Sequence, residues 1–317
     1  MSLSDFYFAF FKVILLPSRN DAPSTEKQYR TSVHYWTAFT ADPPLALIDE
    51  YTCAAFLERI YELPGHKGKA SRFTIHRHIS NIRAILRQAG PRSEQCPNAQ
   101  RLIPEVPFLE RPKLDHSPVH NNVTLDELAR ILEACRIAKA PRIPHVASSQ
   151  WWRSLIVVAY NTGERRGALL EAEFDKIIDR AIEFPAITRK GRTKTHTVPL
   201  NAAALEAIEQ VRGWFRRRRI FPWTYHIRHF DHLYKNITEA AGVNKTFHGL
   251  RKAAATEMAR ATADRRLATL LLGHGRHSTT NDFYIADSLK QDELRRAVEA
   301  IPQPRPSVAT DRQLTLF

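Results

Sequence analysis

Asn161-Thr162-Gly163-Glu164-Arg165-Arg166-Gly167 follows a run from Trp151 to Tyr160 that is apolar almost throughout. Such a run reads as a buried helix. The glycine after it reads as the turn that ends the helix, since glycine enters left-handed backbone without steric cost. The turn delivers Arg165 at the start of the next element, where a guanidinium can fork two phosphate oxygens. Alone, the pattern is weak, because an arginine after such a turn fits a solvated cap equally well.

Toward the C-terminus, Phe174 to Ile178, Ala181 to Thr188 and Thr195 to Leu200 are short and β-branched-rich, which predicts a small antiparallel sheet with turns at Asp179-Arg180 and Lys190-Gly191. The second turn carries the basic tip Thr188-Arg189-Lys190-Gly191-Arg192-Thr193-Lys194. A lysine there can serve as a general acid if neighbouring cations depress its pKa, although a charged hairpin turn is the simpler reading. Helices are expected over Ala202–Arg219, His226–Ala241, Phe247–Ala261 and Leu267–Leu272. His248-Gly249-Leu250-Arg251 lies near a helix N-terminus, and its spacing puts His248 and Arg251 on one face. Leu271-Leu272-Gly273-His274 is followed ten residues after the histidine by Tyr284. His274 and His277 have the spacing of metal ligands, but no Asp, Glu or Cys near them completes a site, so no metal is expected. Tyr284 alone would read as a core aromatic.

Toward the N-terminus, Thr124-Leu125-Asp126-Glu127 resembles a capping box, so a second domain is expected to begin near residue 120. Before it, Gly90 to Asn122 is rich in proline and poor in periodicity, a candidate linker. Still earlier, the apolar run Phe6–Leu16 is interrupted by Lys12 and too short to span a bilayer, which leaves a buried helix. A break at Pro17–Pro23 precedes a helix capped near Ser24 and running through Tyr29, Val33, Trp36 and Phe39. Further helices fit Glu50–Leu63 and Ala70–Gln88. In the latter, Ile75, Ile79, Ile82 and Leu86 form one stripe, with Arg77 and Asn81 opposite and Arg83 and Arg87 on the flanks. That layout suits a groove-reading helix and also an ordinary solvated face.

The composition narrows the partners. Lys and Arg outnumber Asp and Glu by 47 to 33 in 317 residues, a formal charge of +14 that favours a polyanion such as nucleic acid. The cluster Arg216-Arg217-Arg218-Arg219 reads as a solvated helix end before it reads as an RNA-binding element. Cys53, Cys96 and Cys135 are odd in number and widely spaced, which supports neither a disulfide framework nor a zinc knuckle and points to a reducing cytoplasm.

Taken together, the four segments resemble the tyrosine recombinase, or phage integrase, family in identity, order and separation. That family's pattern is an Arg after Thr-Gly, a Lys in a β-hairpin, His-x-x-Arg, Leu-Gly-His, and a nucleophilic Tyr nine or ten residues on. The resemblance implies catalytic roles for Arg165, Lys190, His248, Arg251, His274 and Tyr284. The implied fold is mainly α with a small antiparallel β-sheet: a helical core-binding domain over 1–110, a linker over 111–122, a mixed α/β catalytic domain over 123–300 and a tail over 301–317. It further implies double-stranded DNA as partner, with Arg77 and Asn81 as groove contacts, and several copies acting as a tetramer on paired sites. Neither a cofactor nor a membrane is implied. The expected reaction is site-specific cutting and rejoining of DNA through a 3'-phosphotyrosine at Tyr284. The rivals are a DNA-binding protein that keeps the fold without the chemistry, and a type IB topoisomerase-like enzyme that relaxes DNA.

Three positions depart from the pattern. Ala168 stands where the family usually has an acid, so the partner of Arg165 is either missing or supplied by Glu171 one turn later. Lys194 competes with Lys190, and Phe283 occupies the nine-residue position beside Tyr284. With only about twenty residues before the core-binding helices, a simple two-domain enzyme without the extra N-terminal domain of some integrases is expected. The segment Asp287–Ala300, with Leu289, Leu294, Ala297 and Val298 as a stripe, fits docking on a neighbouring subunit and folding back on its own domain alike.

Overall fold

Apolar side chains gather into two separate cores, one on each side of the proline-rich middle of the chain. The computed structural model describes residues 1–18, 23–65, 68–114, 122–188, 195–213, 217–273 and 287–305, with backbone alone at 287–290. They divide into two compact units, Met1–Pro118 and Val119–Phe317.

In the first unit, α1 (Leu3–Phe6) starts on a capping box. Ser2 Oγ accepts the Asp5 N–H at 3.2 Å, and the Asp5 carboxylate accepts the Ser2 N–H at 3.0 Å. The backbone continues as a π-helical stretch (Tyr7–Leu15) into α2 (Leu16–Ser18). The early apolar run is therefore helical but only partly buried: Phe6, Tyr7, Phe11, Leu15 and Leu16 enter the core while Phe8, Val13 and Ile14 are exposed, and Pro17 lies within α2. Next, α3 (Pro23–Thr40) begins at Pro23, one residue before the expected cap, because the fixed φ of proline suits a first turn where its missing N–H has no partner to lose. Asp49 caps α4 (Glu50–Tyr61) by accepting the Thr52 N–H at 2.9 Å. An unexpected short hairpin, β1 (Pro64–Gly65) with β2 (Gly68–Lys69), leads to α5 (Arg72–Ala89), capped by Ser71. The isoleucine stripe of α5 is buried against α3, where Trp36 also packs on Phe56 of α4. The proline-rich stretch after α5 is not a free linker throughout: Ile103 and Leu109 belong to this core, and Arg83 Nη1 donates to the Leu109 carbonyl at 3.1 Å.

The second unit opens with α6 (Leu125–Ala134) on the expected box, Thr124 Oγ1 accepting the Glu127 N–H at 3.2 Å and Glu127 the Thr124 N–H at 2.8 Å. At its centre, α7 (Ser148–Thr162) buries Trp151, Trp152, Leu155, Ile156 and Tyr160 and packs on α9 (Ala202–Arg212) and α11 (His248–Thr262). The short α8 (Arg166–Leu170) precedes an antiparallel sheet of β3 (Ile177–Ile178), β4 (Ala181–Phe184) and β5 (His196–Pro199), in that order. Asp179 and Arg180 both take positive φ, 48° and 58°, the two-residue turn whose twist matches the strands it joins. The expected helix over Ala202–Arg219 stops early, since Gly213 at φ 63° ends α9. Beyond it lie α10 (Ile227–Ala240), α12 (Arg265–Leu271) and α13 (Asp287–Glu299).

α13 folds back on its own unit. Leu294, Ala297 and Val298 enter the second core, Arg266 pairs with Glu293 at 2.9 Å, and Arg180 with Glu299 at 3.3 Å. The core also runs past residue 300, where a tail was expected. Ile301 is buried, Tyr160 Oη donates to the Pro302 carbonyl at 2.8 Å, and Gln303 Nε2 donates to Asn161 Oδ1 at 2.7 Å. No described helix is long and apolar enough to cross a membrane.

Candidate active site

Gly163 ends α7 with φ 60°, and a Cβ there would lie 3.0 Å from Leu272 Cδ2 and 3.4 Å from Leu271 Cδ2. Conformation and crowding thus both favour glycine. The turn sets Arg165 in extended backbone as the cap residue of α8, with its N–H donating to Glu164 Oε2 at 2.8 Å.

Arg251 reaches the same turn from the first turn of α11. Its Nη1 donates to the Gly163 carbonyl and lies 3.3 Å from Glu164 Oε2, while Nη2 donates to the Leu272 carbonyl at 2.8 Å. Arg251 is 4% exposed and Glu164 2%. A guanidinium so buried is tolerable only because a carboxylate and two carbonyls meet it. One side chain thereby joins the end of α7, the start of α11 and the end of α12.

His248, the first residue of α11, lies one helical turn before Arg251. Partial burial, and then the charges of Arg251, Lys252 and Arg165, lower its pKa, so the ring is neutral at pH 7. Arg165, His248 and Arg251 line one cavity of about 340 Å³ together with Glu164, Arg166 and Asp231. On its rim Arg166 pairs with Asp231 and lies 5.1 Å from the centre of the Phe230 ring. A buried, held guanidinium at Arg251 and a second one at Arg165, beside the imidazole of His248, suit a phosphodiester: cations can meet its non-bridging oxygens and the imidazole can take a proton.

Three of the six residues expected to act together thus meet at one place, whereas Lys190, its competitor Lys194, His274, Tyr284 and Phe283 lie outside the described residues. In the first unit Arg77 is exposed on α5 beside a cavity of about 800 Å³. Asn81 is half-buried and donates to Ser32 Oγ at 2.9 Å, and that hydroxyl lies 2.8 Å from His78 Nδ1, so the Asn81 amide also helps hold α5 to α3.

The expected support from Glu171 does not occur. Glu171 pairs with Arg219, and Ala168 is buried in the core. The acid that serves this turn is Glu164, passed over because it precedes Arg165 where the family pattern directs attention three residues after it. The only signal in the sequence was an acid flanked by glycine and arginine.

The phage integrase family pattern matches residues 121–291. Tyrosine recombinase XerD of Chlamydia trachomatis serovar D is 25% identical over 288 residues, covering 85% of this chain and 88% of that protein. Tyrosine recombinase XerD of Chlamydia pneumoniae is 28% identical over 211 residues, covering 60% and 66%. Among solved structures, lambda integrase (residues 75–356) bound to DNA superposes with a TM-score of 0.63 at 19% identity, covering 89% of this chain and 96% of that one. A lambda integrase tetramer bound to a Holliday junction gives 0.62 at 20% identity, with 92% and 81% covered. These two likenesses show the fold, and the family match covers more than half of the chain: it belongs to the phage integrase family, that of the tyrosine recombinases, enzymes that transfer DNA strands.

Proposed function

We propose that the chain is a site-specific recombinase or integrase that cuts and rejoins duplex DNA through a 3'-phosphotyrosine at Tyr284, without a metal ion. The observation that carries this reading is the convergence of Arg165, His248 and Arg251 on one cavity, with Arg251 buried and held by two carbonyls and a carboxylate. The Tyr284 phenol oxygen attacks the scissile phosphorus while the bond to the 5'-oxygen breaks. Arg165 and Arg251 neutralise the charge that builds on the non-bridging oxygens, each contact contributing roughly 3 kcal/mol on the scale of oxyanion-hole donors. His248, kept neutral, takes the phenolic proton. Lys190 supplies a proton to the departing 5'-oxygen, which leaves as the 5'-hydroxyl, and His274 donates to the phosphate. The phosphotyrosine conserves the energy of the broken bond, so a 5'-hydroxyl from another strand reverses the step with no nucleotide cofactor.

Double-stranded DNA is the proposed substrate, and a tetramer on paired sites the proposed working assembly, in line with the lambda integrase tetramer on a Holliday junction. Exposed Arg77 is proposed to contact the duplex, and with it Asn81, whose Nδ2 also donates to Ser32 Oγ. Three buried, unpaired thiols suit a reducing cytoplasm.

The test is denaturant-resistant capture of DNA by the parent protein and by Tyr284→Phe, followed by sequencing of the captured duplex. The parent is expected to form the adduct and Tyr284→Phe to form none. An adduct that persists in Tyr284→Phe displaces the nucleophile to another residue. No adduct from the parent leaves a DNA-binding protein without the chemistry, and catalytic relaxation of a single unpaired duplex favours a topoisomerase.

A further inference from the structure

Outside the residues assigned above, the most constrained ionisable group at the cavity is Glu164. Its carboxylate is almost fully enclosed, and Oε2 contacts two segments at once: the Arg165 N–H at 2.8 Å and Arg251 Nη1 at 3.3 Å. The Glu164 N–H donates in turn to Thr162 Oγ1 at 3.3 Å, which ties the residue to the end of α7. A buried carboxylate is costly unless it meets a cation and N–H donors, and here it meets both. The other acids near this turn are engaged elsewhere, Glu171 with Arg219 and Asp231 with Arg166. The family's usual acidic position is filled by Ala168, inside the core.

We infer that Glu164 is the positioning residue of the arginine pair: its carboxylate fixes the Arg251 guanidinium and the Arg165 backbone in one frame, taking over the support that Ala168 cannot give. The inference rests on the phosphotransfer reading proposed above. Glu164 does not touch the phosphate. It holds Arg251 from behind, through Nη1 and the Gly163 turn, so that the guanidinium meets the phosphate already oriented. Because a misplacement of about 1 Å in a catalytic group costs on the order of a hundredfold in rate, loss of this contact falls on the chemical step. Affinity for DNA, by contrast, is spread over many phosphate contacts and changes little.

Two variants test this. Glu164→Gln keeps an oxygen for the Arg165 N–H and removes the charge that meets Arg251, while Glu164→Asp keeps the charge and shortens the reach. The probe is the duplex recovered from the parent's covalent adduct, resynthesised with a nick so that cleavage is irreversible. Single-turnover cleavage is measured with each variant, and affinity is measured in the Tyr284→Phe background. Cleavage by Glu164→Gln is expected to fall roughly 10- to 100-fold, with affinity within about threefold of the parent. Glu164→Asp is expected to recover part of that loss. In an Arg251→Lys background, Glu164→Gln is expected to add little further loss, because the two residues act as one unit.

Parental cleavage by a folded Glu164→Gln overturns the inference and leaves the proposed function standing. Equal losses in cleavage, affinity and melting temperature also overturn it, in favour of a purely structural acid. Should Glu164→Gln not fold, Glu164→Asp decides: slower cleavage at parental affinity supports the inference, and parental cleavage overturns it. Absence of any adduct from the parent overturns the phosphotransfer reading, and this inference with it.

Discussion

Glu164 and Arg251 stand 87 residues apart, and their 3.3 Å contact is the kind of feature that no local pattern announces. Arg165, His248 and Arg251 were legible as candidates because each sits in a short motif of fixed spacing. The acid that serves them was not, because Glu164, Ala168 and Glu171 differ in role only through where their side chains come to rest. Gly163 is the opposite case, readable from the residue alone. Gly163→Ala forces a Cβ into left-handed backbone, at about 1–2 kcal/mol, and into contact with Leu272. The expected result is a loss of about 2 kcal/mol or more in chemical denaturation, together with slower adduct formation as Arg165 shifts. An unchanged denaturation midpoint would show that the turn does not need its glycine.

Among the elements, helices were the most legible because their signals are short-range: Thr124 with Glu127, Asp49 and Ser71 cap α6, α4 and α5 through contacts within three residues. The contact between α3 and α5 was not legible. There His78 is buried with Nδ1 at 2.8 Å from Ser32 Oγ, and burial, followed by the charge of Arg77, pulls its pKa down to about 4. The unfolded chain binds this proton near pH 6.5, well above the folded value, so protonation favours unfolding in the interval between. Stability of the first unit is expected to be full above about pH 6.5 and to fall as pH drops toward 4, by at most roughly 3 kcal/mol from this residue. Denaturation of the parent and of His78→Asn at pH 7 and pH 4.5 checks it. Asparagine keeps a hydrogen-bonding group near Ser32 and cannot titrate, so the variant should lose most of the pH slope. A slope identical in both proteins would remove His78 as its source.

For the whole molecule, the C-terminal region matters most. Ile301, the Tyr160–Pro302 hydrogen bond and the Asn161–Gln303 pair fasten the chain beyond residue 300 to α7. Truncation after Ala300 is expected to destabilise the second unit by about 3 kcal/mol, from one buried isoleucine and the lost hydrogen bonds. Retention of the parental melting temperature by the truncated protein would show these contacts to be dispensable. From the sequence alone came the family, the mainly helical fold with its small sheet, and the order of the motifs, because caps, periodicity and motif spacing act over a few residues. Tertiary structure alone decided that Glu164 meets Arg251, that Asn81 bonds Ser32, that α13 folds onto its own unit, that Ile301 joins the core and that Pro302 and Gln303 bond α7. In each of these the choice lies among chemically similar partners distant in the chain, and only burial and geometry tell them apart.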